Sequence, residues 1–242
     1  MNAPAWTLEP LGEDAVLLRL VAHSESGLNR QVHALAAHIS AARPPWLRDI
    51  VPAYAALALH IDPAHPLAGD RFALDLVEGW LAERPPGDTD AAGGTAPATL
   101  EIPVCYDPTC APDLQAVAAH AGLEPDALIA RHCAPEYTVA MIGFAPGFPY
   151  LLGLDPALAM PRHATPRARV PAGSVGIGGS QTGIYPTASP GGWQIIGRTP
   201  TRLFDQRRAT PSLLRPGQRL RFVSITLAEY AHLATATEHA RG

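Results

Sequence analysis

No lysine occurs anywhere in this 242-residue sequence; all 18 of its basic residues are arginine. That absence removes whole classes of chemistry. A P-loop needs its lysine on the phosphates, a Schiff-base enzyme needs an amine, and biotin or lipoyl groups need a lysine for attachment. Cysteine is scarce as well. Three thiols (Cys105, Cys110, Cys133) cannot form a disulfide framework for a chain of this length, which points to a reducing cytoplasm. No apolar run approaches the ~18 residues of a membrane span. Residues 1–14 lack the basic and apolar regions of a signal peptide, so neither membrane insertion nor export is expected. A net charge of −4 is too balanced for a protein that neutralises phosphates along a nucleic acid.

What is present is a globular composition, 47% hydrophobic and 17% charged, which excludes a disordered chain. The 26 prolines favour fixed turns over a helical bundle. Residues 84–98 carry no large apolar side chain and are dense in turn formers. Two domains are therefore expected, 1–84 and 99–242, joined by a linker over 85–98. Charge changes sign across it: residues 1–98 hold 6 Arg against 12 acids, residues 99–242 hold 12 against 10.

In the first part, Trp6 to Glu9 and Ala15 to Leu20 read as strands around a Pro-Leu-Gly turn. Leu28, Val32, Leu35 and Ile39 mark one face of a helix, and Ile50 to Val51 and Ala55 to Ile61 two more strands. Phe72, Leu76, Val77 and Trp80 mark a second helical stripe. Two helices on one face of a small antiparallel sheet fit this order. Beyond the linker, Leu100 to Val104 is a strand, and Leu114 to Ala121 and Pro125 to His132 are helices. From Thr138 helical periodicity disappears. Short runs (Val139 to Phe144, Val170, Val175 to Ile177, Gln194 to Ile196, Leu220 to Val223) alternate with Gly and Pro, the pattern of a closed or sandwich-like β domain. Leu227 to His239 reads as a terminal helix.

Chemistry gathers in residues 143–204. Eleven of the 21 glycines fall within 143–198, where a positive φ or a close backbone approach is required. The run over 176–183 fails as a nucleotide loop, with Gln181 in place of glycine and Ile184 in place of lysine, and reads as a tight barrel turn. From Pro156 to Phe204 there is no Asp or Glu, while Arg162, Arg167, Arg169, Arg198, Arg202 and His163 are present. Arg167 and Arg169, two apart on extended chain, should point the same way. Three explanations stay open for these cations: an anionic ligand, an acidic partner surface, or acids elsewhere in the fold. His132 and His163 are candidate acid–base groups. Gln181, Thr182 and Tyr185 add neutral hydrogen-bonding groups, and Trp193 reads as core. Cys105, Cys110, Cys133 and His132 match no zinc spacing, so no metal is expected.

Several motifs then stand out together: His132-Cys-Ala-Pro-Glu-Tyr137, Gly143-Phe-Ala-Pro-Gly-Phe-Pro-Tyr-Leu151, the stretch from Pro161 to Val175, Gly178-Gly-Ser-Gln-Thr-Gly-Ile-Tyr-Pro186 and Pro190-Gly-Gly-Trp-Gln-Ile-Ile-Gly-Arg-Thr-Pro200. They resemble the B subunits of the prokaryotic 5-oxoprolinase family, also labelled allophanate hydrolase subunit 1, which includes a sporulation histidine-kinase inhibitor. The resemblance implies an α+β chain with a ferredoxin-like first domain and a cyclophilin-like β-barrel second. It also implies companion C and A subunits, and ATP as co-substrate in opening 5-oxoproline to glutamate. Under it, His163, Arg167 and Arg169 are the expected catalytic residues, with His163 as proton donor. Arg162, Gln181, Thr182, Tyr185 and Arg198 are the expected substrate contacts. The family leaves three rivals: a kinase-docking protein without chemistry, a subunit acting on another small amide, and a prolyl isomerase suggested by the barrel alone.

Overall fold

A computed structural model describes residues 5–21, 25–69, 72–85 and 98–239. Most of the expected linker, residues 86–97, lies outside the described residues. The chain divides into two compact units, Met1–Ala96 and Pro97–Gly242.

The first unit runs β1 (Ala5–Pro10), β2 (Ala15–Val21), α1 (Glu25–Ala42), β3 (Leu47–Pro52), β4 (Ala56–Ile61), α2 (Pro66–Gly69) and α3 (Ala73–Glu83). Its strands form an antiparallel sheet in the order β1-β2-β4-β3. The core follows the two periods of the sequence. Alternate residues Val16, Leu18 and Leu20 of β2, with Leu57, Leu59 and Ile61 of β4, meet Val32, Leu35 and Ile39 of α1 and Leu76, Val77 and Leu81 of α3. Each such buried side chain contributes roughly 1.5–3 kcal/mol. Phe72 departs from expectation. Its backbone is extended (ψ 142°), the helix begins one residue later, and the ring is 81% exposed while Leu81 fills the stripe instead.

The second unit contains β5 (Leu100–Cys105), α4 (Leu114–Ala121), α5 (Pro125–Cys133), β6 (Tyr137–Ile142), β7 (Pro149–Leu152), β8 (Arg167–Val170), β9 (Ser174–Gly178), β10 (Gln181–Ile184), β11 (Ser189–Gly191), β12 (Gln194–Arg198), β13 (Arg219–Ile225) and α6 (Leu227–His239). Among the described residues, seven strands close into a barrel in the order β10-β7-β6-β13-β5-β12-β9. The β13–β5 pair is parallel and the other pairs are antiparallel. Strands β8 and β11 form a separate ribbon. The glycine run over 176–183 is the β9–β10 hairpin: Gly178 faces Gln181, and the chain turns through Gly179, whose φ of +68° disfavours an L side chain.

Candidate active site

Arg167 opens β8 and sits opposite Gly191 of β11. Its guanidinium turns onto Asp113, with Nη2 donating to Oδ1 at 2.6 Å, and Nη1 donates to His163 Nε2 at 2.9 Å. Asp113 is buried and immediately precedes α4, the position where an aspartate normally caps its own helix. It does not do so here. Its Oδ2 accepts from the Ile195 amide at 2.6 Å, while its own amide donates to the Ile195 carbonyl at 2.9 Å. The cap has been diverted to hold Arg167 against β12.

Burial alone would raise the Asp113 carboxyl. Hydrogen bonds from Arg167 and the Ile195 amide outweigh it and bring the group below the ordinary carboxylate range. The same contacts define His163. Arginine can only donate, so Nε2 accepts from Arg167 and cannot also donate to Asp113 Oδ2, 3.3 Å away. The ring proton is therefore on Nδ1. Such an imidazole donates a hydrogen bond well but is a poor proton donor, because losing that proton would leave an imidazolate.

An aromatic basin adjoins this cluster. The His163 amide donates to the Gly192 carbonyl at 2.7 Å, and Gln194 Nε2 donates to the Pro161 carbonyl at 2.9 Å, which pins residues 161–163 along the start of β12. Arg162 then stands with its guanidinium 5.6 Å from the Trp193 ring centroid. Phe144, Phe148, Tyr150, Tyr185 and Trp193 complete a basin of about 90 Å³. Phe148 meets Trp193 and Tyr185 edge-on, at 5.5 and 5.2 Å between centroids. Gly178 makes room for the indole: a Cβ there would come within 2.7 Å of it. Phe144 is 63% exposed and has a φ of +67°, a left-handed conformation costing a non-glycine residue about 1–2 kcal/mol. The exposed ring gains little burial to offset that strain, and it lies on the wall of the basin.

The structure thus gathers Arg162, His163, Arg167 and Tyr185 of the expected residues. Arg169 is exposed and forms no ion pair among the described residues, so it does not share the inward turn of Arg167. Arg198 lines a different pocket, with Nε donating to the Ala172 carbonyl at 2.9 Å. Gln181 is half-buried in the hairpin. Thr182 is fully buried, its hydroxyl donating to the Gly176 carbonyl at 3.0 Å and lying 3.3 Å from His132 Nε2, so it faces the barrel interior. His132 is equally buried; desolvation pushes its pKa down to about 3, and it serves as a neutral core residue rather than an acid–base group. The structure adds Asp113, Phe144, Phe148 and Tyr150, which sequence reasoning does not single out. Among the described residues no three His, Cys, Asp or Glu gather to hold a metal ion, and no helix is long and apolar enough to cross a membrane.

Known proteins resemble this chain closely. The family described as carboxyltransferase domain, subdomain C and D, matches residues 6–214. The chain is 38% identical over 229 residues to the 5-oxoprolinase B subunit of Bacillus subtilis (strain 168), covering 93% of this chain and 95% of that protein. Among solved structures it is similar to TTHA0988, at 40% identity and a TM-score of 0.74 over 87% of this chain; it spans only 40% of that longer chain. The urea carboxylase of Kluyveromyces lactis, 18% identical, shares the fold over 95% of this chain and 22% of its own, with a TM-score of 0.69.

Proposed function

This chain belongs to the family of 5-oxoprolinase B subunits and carries a carboxyltransferase domain of the C and D type, and from that premise we propose that it is the B subunit of an ATP-dependent 5-oxoprolinase, working in the cytoplasm with companion C and A subunits. We also read its first unit as ferredoxin-like, supported by the β1-β2-β4-β3 order with helices packed on the sheet, and its barrel as cyclophilin-like.

The substrate is a flat five-membered lactam bearing a carboxylate. Phosphoryl transfer from ATP to the lactam oxygen, with ADP leaving, makes the ring carbon electrophilic. Water adds there, the C–N bond breaks to free the protonated amine, and the acyl phosphate so formed is hydrolysed to glutamate and phosphate. The basin of about 90 Å³ suits a small ring and is too small for a nucleotide. Its aromatic walls take the ring faces, and Arg162 at the rim pairs with the carboxylate. His163 donates through Nδ1 to the oxygen on which charge gathers. Arg167, fixed by Asp113, is a positioning residue: it holds Nε2 as an acceptor and so dictates the tautomer. Arg169, exposed on the same strand, adds positive charge for an anion or an acidic partner.

The carrying observation is the continuity of the Asp113–Arg167–His163 cluster with an aromatic basin that ends in an arginine. The test is to assemble the chain with its companion subunits and follow glutamate formation from 5-oxoproline and ATP. Assembled subunits should turn over, and Arg162→Ala should raise KM for 5-oxoproline at least tenfold. No 5-oxoproline-dependent ATP hydrolysis by the assembly would refute the function, and unchanged kinetics in Arg162→Ala would remove the basin from it.

A further inference from the structure

A second pocket in the barrel unit has its own charge and shape. It encloses about 380 Å³, roughly four times the aromatic basin, and the two share no lining residue. Arg198, Arg202, Thr187, Thr199, Thr201 and Tyr230 contribute to its wall, which contains no Asp or Glu. Arg198 is the centre of the argument. Its Nε–H is committed to the Ala172 carbonyl, and its guanidinium lies 5.9 Å from the Tyr230 ring centroid, so the plane is set on two sides. No carboxylate among the described residues pairs with it. Arg202 differs, since Nη1 meets Asp205 at 2.8 Å and Nε donates to the Phe204 carbonyl, so it shapes the wall and is largely neutralised. A preset guanidinium fork without a carboxylate, beside threonine hydroxyls and an aromatic ring, has the chemistry of an oxyanion receptor.

We propose that this pocket binds a phosphate-bearing ligand through Arg198. The proposal stands on the pocket's own geometry and does not require the aromatic basin to hold 5-oxoproline. Two sources supply the same group: the phosphates of a nucleotide, or a phosphorylated small acid. The experiment is calorimetric titration of the full chain with inorganic phosphate and with ADP, without turnover. Phosphate should bind at one site per chain. Arg198→Gln should weaken it at least tenfold, with Arg198→Lys recovering part of the loss. Ala188→Glu places a carboxylate at the exposed rim without disturbing a buried contact, and should weaken binding similarly. Tighter binding of ADP than of phosphate identifies a nucleotide as the source; equal binding identifies the phosphorylated acid. Absence of phosphate binding, or binding insensitive to both Arg198→Gln and Ala188→Glu in folded protein, overturns the proposal.

Discussion

Two histidines of the barrel unit have hydrogen-bonding partners, yet their surroundings differ. His132 lies in the sealed interior, stacked on Phe222 at 4.5 Å, with Tyr106 Oη 2.7 Å from Nδ1 and the Thr182 hydroxyl near Nε2. All its partners are neutral. His163 keeps 31% of its side chain exposed and touches Arg167, whose counter-charge Asp113 is buried. Neutral groups satisfied in a closed core specify packing and resist protonation. Formal charges at a solvent-reached edge are held in orientation and remain available to a ligand. Hydrogen-bond partners alone therefore do not distinguish a core histidine from one that a ligand can reach; exposure and the charge of the partners do.

The comparison breaks most visibly by deletion. His132→Ala should leave a cavity and strand the Tyr106 and Thr182 hydroxyls, lowering unfolding free energy by roughly 3–5 kcal/mol. Urea unfolding measures this, and a loss under 1 kcal/mol would mean the interior is not sealed around the ring. Asp113→Ala acts at the edge. With Arg167 and the Ile195 amide released, kcat of the assembled enzyme should fall about 100-fold, equivalent to ~2.7 kcal/mol, while KM for 5-oxoproline changes only a few-fold. A change confined to KM would assign Asp113 to substrate binding instead of positioning.

Protonation separates the two further. The folded His132 pKa of about 3 lies below the ordinary value near 6.5. The unfolded chain thus takes up a proton that the folded chain refuses, and stability rises with pH across that window by up to ~1.4 kcal/mol per unit. Asp113 is also depressed, so its contribution is complete above the ordinary carboxylate value near 3.9 and is lost only as pH falls through its lower folded value. His132→Gln should flatten the stability profile between pH 6.5 and 4, whereas Asp113→Asn should leave that interval unchanged. Identical slopes in wild type and His132→Gln would show that the imidazole is protonated in the fold.

Much of this is legible in the residues themselves, and the exceptions have physical causes. Spacing and flanking residues agree for helices α4 and α6, so the sequence places both at their observed limits. Strands β7, β10 and β11 escape it, since four residues or fewer interrupted by Pro149, Gly183 or Pro190 carry no period. The expected strand through Phe144 ends at Ile142, where the chain enters the left-handed turn. Arg162, His163 and Arg167 stand out because no acid lies among them. Asp113 does not: an aspartate before a helix reads as a cap, and nothing in the sequence links it to an arginine 54 residues away. Thr182 reads as a hydrogen-bonding group for substrate, and its burial in the barrel escapes the sequence because residue type does not reveal which side of a barrel wall a side chain occupies.

Phe144 gives the smallest but most discriminating effect. Asparagine tolerates the left-handed conformation better than phenylalanine and avoids the entropy cost of glycine. The ring is mostly exposed, so its loss forfeits little burial beyond edge contacts with Phe148 and Tyr185 at 5.3 and 6.2 Å. Phe144→Asn should therefore leave the chain as stable or up to ~1 kcal/mol more stable. The same change should raise KM for 5-oxoproline several-fold, because one wall of the basin is gone. Stability and affinity moving in opposite directions is what a strained functional residue requires. A variant that melts earlier and binds normally would make Phe144 a packing residue, and the left-handed turn a feature of the fold alone.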